Sequence, residues 1–335
     1  MTSATTRFSV LDRSRTRHGR DHAQSLRDTV EFAKHAEALG YHRFWVSEHH
    51  SVPGVAGSAP TVLAAAVAAA TSRIRVGTGG VMLPNHQPLV VAEQFGVLES
   101  LHPGRIDMGL GRSVGFTGGI RRALGRDKDG AERFGAQLAE LLGYFTGDQQ
   151  AHPHVHAWPA EGLRVQPFVL ATGSGADHAA EAGLPLVIAQ VRGEDQMMRA
   201  IERYRELFRP SGWSDRPYVV VSTDIAIAET GELARQLLVP EAWSSACSRT
   251  HGEFPPLLPA EHVLALEMSD RERALFDEAM RGRLHGTAEE VAPALDRLVG
   301  RTGANEVLVT TSTYDRGQML DSYRRLARMV DLRAD

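Results

Sequence analysis

The sequence predicts an α/β chain closed into one (β/α)8 barrel. Eight short β-type runs recur along it, helical patterns separate them, and glycines stand where helices hand over to strands. The runs are "FSVL", "RFWVS", "IRVGTGGVML", "RIDMGLG", "PFVLAT", "PLVIAQ", "YVVVSTDIAIA" and "NEVLVTTST". Between them Leu26, Val30, Ala33 and Ala36 keep helical spacing, as do Phe134, Leu138, Leu141 and Phe145, and later Leu320, Tyr323, Ala327 and Val330. Gly40 closes the first helix before "YHRFWV", and Gly183-Leu184-Pro185 stands before "LVIAQ", as helix C-terminal glycines do ahead of a short loop. A doubly wound open sheet is the alternative topology. The last run lies far from the seventh. Residues from about 239 to 303 intervene, with "EFPPLLPAEH" and a charged helix around "MSDRERALFDEAMRG". They read as an excursion over the barrel mouth, so residues 1–335 form one TIM-barrel domain with an insertion before the last strand.

With 335 residues, 42% hydrophobic and 23% charged, the chain can bury a large core and is not disordered. A formal charge of -4 excludes a generally basic nucleic-acid binder and favours a small-molecule partner. The single cysteine, Cys247, cannot form an intramolecular disulfide, and without a secretory signal it points to the cytoplasm. The opening "MTSATTRFSVLDRSRTRHGRD" has the Ser, Thr and Arg bias of a transit peptide, but Asp12 and Asp21 interrupt it and "FSVL" is a strand pattern. No stretch reaches the roughly 18 to 20 apolar residues of a membrane span. The longest, "APTVLAAAVAAATS", reads as a buried helix.

A barrel of this kind carries its site at the C-terminal ends of the strands. The second run ends in Glu48-His49-His50, the third in Thr78-Gly79-Gly80 and the fourth in Gly111-Arg112-Ser113. Thr172-Gly173-Ser174-Gly175 follows the fifth. Histidine passes protons near neutrality, and a neighbouring glutamate fixes its tautomer, so Glu48, His49 and His50 are the catalytic candidates. The alternative is that the two rings only hydrogen-bond loop backbone. No metal is assigned, because adjacent residues seldom share an ion without further ligands and the other strand ends offer no second carboxylate cluster.

"ATGSGADHAAEAG" places two glycines between strand and helix, an anion cradle or a simple tight turn. His178 stands where a dinucleotide fingerprint needs its third glycine. Arg112 supplies the cation a phosphate wants, or a surface salt bridge. Gly77, Gly79 and Gly80 imply either a flat ligand against the backbone or a tight barrel corner. In "HPHVHAW", His152, His154 and His156 alternate, but Pro153 breaks a strand there and no metal is assigned. The basic run "DRSRTRHGR" overhangs the mouth to steer an anion, or is a solvated loop.

"FWVSEHH", "IRVGTGGVMLP", "QPLVVAEQFGVLESLHPGRIDMGLGR" and "EAGLPLVIA" together resemble the bacterial luciferase-like, flavin-dependent monooxygenases over nearly the whole chain. The nearest branch is that of the antibiotic-biosynthesis oxygenases, similar to the mensacarcin-pathway enzyme. The resemblance implies a TIM barrel that takes reduced FMN from a separate reductase and forms a C4a-hydroperoxide with O2, usually as a homodimer. By position it places His49 on the catalytic histidine, His50 on a second functional histidine, Arg112 and Thr172 on phosphate contacts, and Gly79-Gly80 on a non-proline cis peptide under the ring. Gly111, Gln190 and Ala171 replace a cysteine, a tryptophan and an acid of the luciferase pattern, which removes the support for light emission and a long-chain aldehyde.

The expectation is therefore a cytoplasmic FMN-dependent monooxygenase with no nucleic-acid or membrane partner. Arg112, Thr172, Gly173, Ser174 and Gly175 hold the phosphate, and Gly79 and Gly80 lie beneath the ring. Deazaflavin F420 is the alternative cofactor. A metal-dependent barrel hydrolase built on Glu48, His49 and His50, or a silent partner subunit, are the alternatives outside flavin catalysis.

Overall fold

The computed structural model describes residues 6–190 and 193–333, so the first five residues of the Ser/Thr/Arg-biased opening lie outside the described residues. The strands are β1 (Arg7–Asp12), β2 (Arg43–Val46), β3 (Arg75–Thr78), β4 (Val81–Met82), β5 (Ile106–Gly111), β6 (Gln166–Ala171), β7 (Leu186–Ala189), β8 (Val219–Thr223), β9 (Ile225–Ile227), β10 (Leu284–Gly286) and β11 (Glu306–Val309). Their hydrogen-bonded order is β3-β2-β1-β11-β8-β7-β6-β5-β4, and β3 also pairs with β5. That last pairing closes the ring into an eight-stranded parallel TIM barrel and rules out the open sheet.

Two of the eight runs divide. "IRVGTGGVML" becomes β3 and β4, separated by Gly79-Gly80, whose peptide bond is cis. "YVVVSTDIAIA" becomes β8 in the ring and β9 outside it, paired in parallel with β10 through Leu284↔Ile225 to Gly286↔Ile227. No helix among the described residues is long and apolar enough to cross a membrane.

The chain divides into two compact units: residues 1–44, 51–58 and 222–335, and residues 45–50 with 59–221. In the first, β1 and β11 pair from Arg7↔Glu306 to Val10↔Val309. The expected insertion lies here. It consists of helices Gly231–His251, Ala260–Leu264 and Asp270–Met280, then β10 and helix Ala288–Thr302. Val239, Ala242, Ala246, Val263 and Phe276 form its apolar core. The main chain around Leu257 is tied to the loop after β1, with the Leu257 N–H donating to Thr16 O at 2.9 Å and the His18 N–H donating to Leu257 O at 2.9 Å.

The basic run after β1 is a solvated loop only at its end, where His18, Gly19 and Arg20 are exposed. Arg15 and Arg17 are buried, and burial, opposed in part by Glu241, pulls the Arg15 guanidinium down to about 10. Arg13 pairs with Glu241 at 2.8 Å, and the Arg17 Nε donates to the Tyr314 carbonyl at 2.8 Å. These cations are committed to holding the unit together, because a buried guanidinium without partners costs several kcal/mol or more.

In the second unit β5 pairs with β6 from Asp107↔Gln166 to Gly111↔Leu170, and with β4 at Val81↔Leu110 and Met82↔Gly111. Buried Asp107 is held by Trp45 Nε1 at 3.1 Å and by Arg75 at 2.6 Å. The strand glycines answer to crowding between β3 and β5. A Cβ on Gly109 would stand 1.9 Å from Thr78 O, and one on Gly77 would stand 2.3 Å from Asp107 O. The barrel-corner reading therefore holds for Gly77, and Gly80 has the same constraint, its Cβ position being 2.7 Å from Gly109 O. Helix Pro60–Ala70, expected to be buried, is buried on one face only, with Val62 69% exposed.

Candidate active site

Glu48 stands two residues beyond the end of β2, and its side chain is buried. His50 Nε2 donates to Glu48 Oε1 at 2.8 Å, and Asn85 Nδ2 donates to the same oxygen at 3.1 Å. His86 Nε2 and the Met82 main-chain N–H each donate to Oε2 at 2.9 Å. Burial works against the charge of Glu48, but the bonds from His50 and His86, the positive field of His86 and the Met82 amide outweigh it and hold the carboxyl down at about 2.

A carboxylate with that pKa only accepts at neutral pH, so both facing Nε2 atoms carry protons. The nitrogen of each ring that faces away from Glu48 is Nδ1. The task expected of Glu48 from the sequence is to fix a histidine tautomer, and these hydrogen bonds are of that kind. With two donors on each oxygen it is occupied as an acceptor, and it orients histidines instead of moving a proton itself. His49 stands apart from this group and bonds Ser47 Oγ through Nδ1 at 3.1 Å.

His86 and Asn85 are the residues that sequence reasoning missed. They follow β4 in the turn Leu83–Asn85 and the position after it. Their sequence "PNHQP" carries no pattern of its own, and only the fold, which sets β4 on β5 and its Met82 amide on Glu48, brings them to that carboxylate. The earlier reason for assigning no metal was the lack of a further ligand, and His86 supplies one.

The anion cradle lies on the neighbouring register. Gly111 pairs with Leu170, so Arg112 and Ala171 leave β5 and β6 side by side. The Arg112 side chain crosses Gly175, where a Cβ would be 3.5 Å from Arg112 Cδ and 3.2 Å from Ala171 Cβ. Arg112 is exposed and makes no ion pair among the described residues, so the salt-bridge alternative does not apply.

Thr172 and Ser174 are exposed on the loop. The loop is also a tight turn, since Ala176 N–H donates to Gly173 O at 2.9 Å and Asp177 N–H to Ser174 O at 3.2 Å. The tight-turn reading is the one these bonds show. Gln196 Nε2 stands 3.2 Å from a Cβ placed on Gly173, a polar neighbour that the sequence did not indicate. His152, His154 and His156, by contrast, are exposed in turns. His156 pairs with Glu161 at 2.6 Å, while His152 stands 3.6 Å from Glu140.

Met82 joins the two halves. Its N–H holds Glu48, its register partner is Gly111, and the next residue is Arg112. Polar groups gathered where barrel strands end mark a barrel enzyme, and the class this fold and register define is a (β/α)8 oxidoreductase or hydrolase working at that rim. The family model of the luciferase-like monooxygenases matches residues 6–325, and the chain belongs to that family.

Among relatives, the Bacillus subtilis protein YvbT is 38% identical over 96% of both chains. The N-acetyl-S-alkylcysteine monooxygenase of the same organism is 32% identical over 97% of this chain and 98% of its own. The crystal structure of apo-MsnO8 superposes with a TM-score of 0.89 at 31% identity over 99% of both chains. Two more distant structures share the fold. One is the oxygenating constituent of 3,6-diketocamphane monooxygenase from Pseudomonas putida, in complex with FMN, at TM-score 0.73 and 18% identity, covering 97% and 98% of the chains. The other is an F420-dependent secondary alcohol dehydrogenase, at TM-score 0.70 and 15% identity, covering 98% and 99%. The protein is a flavin-dependent monooxygenase of this family.

Proposed function

We propose that this protein is the oxygenase of a two-component system in the cytoplasm. It takes reduced FMN from a separate reductase and uses O2 to oxidise a small organic or polyketide-type substrate. The observation that carries this is Arg112, exposed and without an ion pair among the described residues, whose Cδ would stand 3.5 Å from a Cβ on Gly175. It lies one residue beyond the Met82–Gly111 register, whose Met82 amide holds Glu48. In this reading the phosphate rests on Arg112, the Thr172 and Ser174 hydroxyls and the amides around Gly173 and Gly175. Gly79 and Gly80 leave bare backbone for the ring. Bound reduced FMN supplies the electrons that activate oxygen. The chain's own residues hold the proton inventory: Nδ1 of His50 and of His86 accept or return a proton while Glu48 keeps their Nε2 protons in place, and His49 faces the reacting atoms.

The test mixes the protein with anaerobically reduced FMN, then with oxygenated buffer. A transient absorbance distinct from both reduced and oxidised FMN, shortened by His49→Ala, supports the proposal. Failure to bind reduced FMN, together with anaerobic hydride transfer from F420, replaces it with the F420 reading.

The proposal includes a homodimer. Helix Pro60–Ala70 and helix Pro88–Leu101 leave Val62, Val90, Val97 and Leu101 between 45% and 69% exposed. Thr61 Oγ1 bonds Gln94 Oε1 at 3.0 Å, so the two helices are neighbours. An apolar face of this kind on a soluble chain marks an interface. Sedimentation should show a dimer for the wild type and a monomer for Val62→Glu/Val97→Glu; an unchanged wild-type dimer in that variant would place the contact elsewhere.

Residues from about 239 to 285 are assigned the water-excluding role expected of the insertion. Deleting the loop between helices Ala260–Leu264 and Asp270–Met280 should then raise peroxide release per reduced FMN consumed, and unchanged coupling refutes the assignment.

A further inference from the structure

Glu48, His50 and His86 each offer one ligand atom, and these atoms lie within 4.8 Å of one another. Two imidazoles and a carboxylate are the donor set that zinc and iron(II) sites use, with coordination positions left open. What bridges the set here is two protons, those on the histidine Nε2 atoms at 2.8 and 2.9 Å from the carboxylate oxygens. An ion that replaces both protons would leave Asn85 Nδ2 on Oε1 and the Met82 N–H on Oε2. One donor per oxygen would remain, as the outer shell of a ligating carboxylate requires.

A second observation points the same way. Asn85 Oδ1 is buried and has no donor among the described residues, so a metal-bound water is the kind of partner it lacks. The histidine side chains are 23% and 30% exposed, which leaves a route in from solvent.

We propose that Glu48, His50 and His86 form a binding site for a divalent ion of the zinc class, and that the ion silences the enzyme when bound. Metal on Nε2 would replace the hydrogen bonds by which Glu48 orients both rings, so the rings would be held by the ion and not by the carboxylate. Binding stands on geometry alone; only the silencing rests on the function proposed above.

The experiment titrates zinc chloride into chelator-treated full-length protein, without flavin, by calorimetry and metal analysis. One ion per chain is expected, with affinity at least tenfold weaker in His86→Gln and in Glu48→Gln, and unchanged in the surface control His156→Ala. Absence of binding below millimolar zinc, or binding that His86→Gln leaves unmoved, overturns the site. Should a variant lose its fold, cobalt(II) added to the wild type decides. Intense visible bands of a low-coordinate, histidine-bound ion support the site, and their absence refutes it. Chelator-reversible loss of turnover in the wild type supports the silencing. Binding without that loss refutes the silencing and leaves the site intact.

Discussion

Glu48→Gln is expected to lower turnover by about 10²- to 10⁴-fold, the range of a displaced acid–base group, with a much smaller change in the affinity for reduced FMN. A glutamine keeps the size of the side chain but offers one acceptor oxygen and a pair of donors. It therefore points N–H at an imidazole that itself carries a proton there. One ring must turn or change tautomer, and its Nδ1 then ceases to be the proton-accepting atom of the proposed function.

The same change acts on stability. A carboxyl held at about 2 in the fold and at 4.5 in the free side chain contributes roughly 3 kcal/mol at neutral pH. Because the folded value is the depressed one, that contribution is complete above about pH 5 and is lost as the pH falls from about 4.5 through 2. Urea melts across this interval should show wild-type stability falling toward that of Glu48→Gln, with the gap between them narrowing as the acid increases. Parallel curves would mean that Glu48 is not ionised in the fold.

The second large effect is expected at the other end of the register. Arg112→Glu should weaken reduced FMN binding by about 10- to 100-fold or more. A charged hydrogen bond contributes about 1.5 to 3 kcal/mol, and the reversal adds repulsion of the phosphate. Riboflavin has the ring but no phosphate, and its affinity should barely move. Equilibrium fluorescence titrations with both ligands separate the cases. An equal loss for both would place Arg112 under the ring, and no loss for either would remove it from the site. Since Arg112 is exposed and forms no ion pair among the described residues, the substitution should leave the melting temperature near the wild-type value.

The barrel was legible because it depends on local pattern. Alternating strand and helix periods, Gly40 and Gly183 at helix ends, and polar residues after each strand are all short-range signals. What escaped depends on distant parts of the chain. Ile225–Ile227 looks like a continuation of the seventh run and leaves the ring only because Leu284–Gly286, a segment with no strand pattern, is there to pair with it. The arginines at 15 and 17 read as solvated because their partners, Ser244 and the carbonyls of Thr313 and Tyr314, lie more than two hundred residues away. At the candidate site, Glu48, His49, His50, Arg112 and the 172–175 loop were proposed from strand-end positions and from the family resemblance, and the fold brings Glu48 and His50 into contact. His86 was not proposed, since nothing within "LPNHQP" says that a carboxylate will meet it. That Glu48 faces a histidine was legible from its neighbours, but that four donors converge on its carboxylate was not, because the number of donors around a side chain is a property of the fold.

Met82 carries a consequence for how such enzymes diversify. A Cβ on Gly111 would come within 2.7 Å of the Met82 sulfur, so the two positions share one small volume. The Met82 sulfur and methyl are the far end of a flexible side chain, so a side chain gained at position 111 would be accommodated by moving Met82. Since the amide of residue 82 also anchors the carboxylate that sets the histidine tautomers, drift at an apparently inert apolar site would be inherited as a change in proton chemistry.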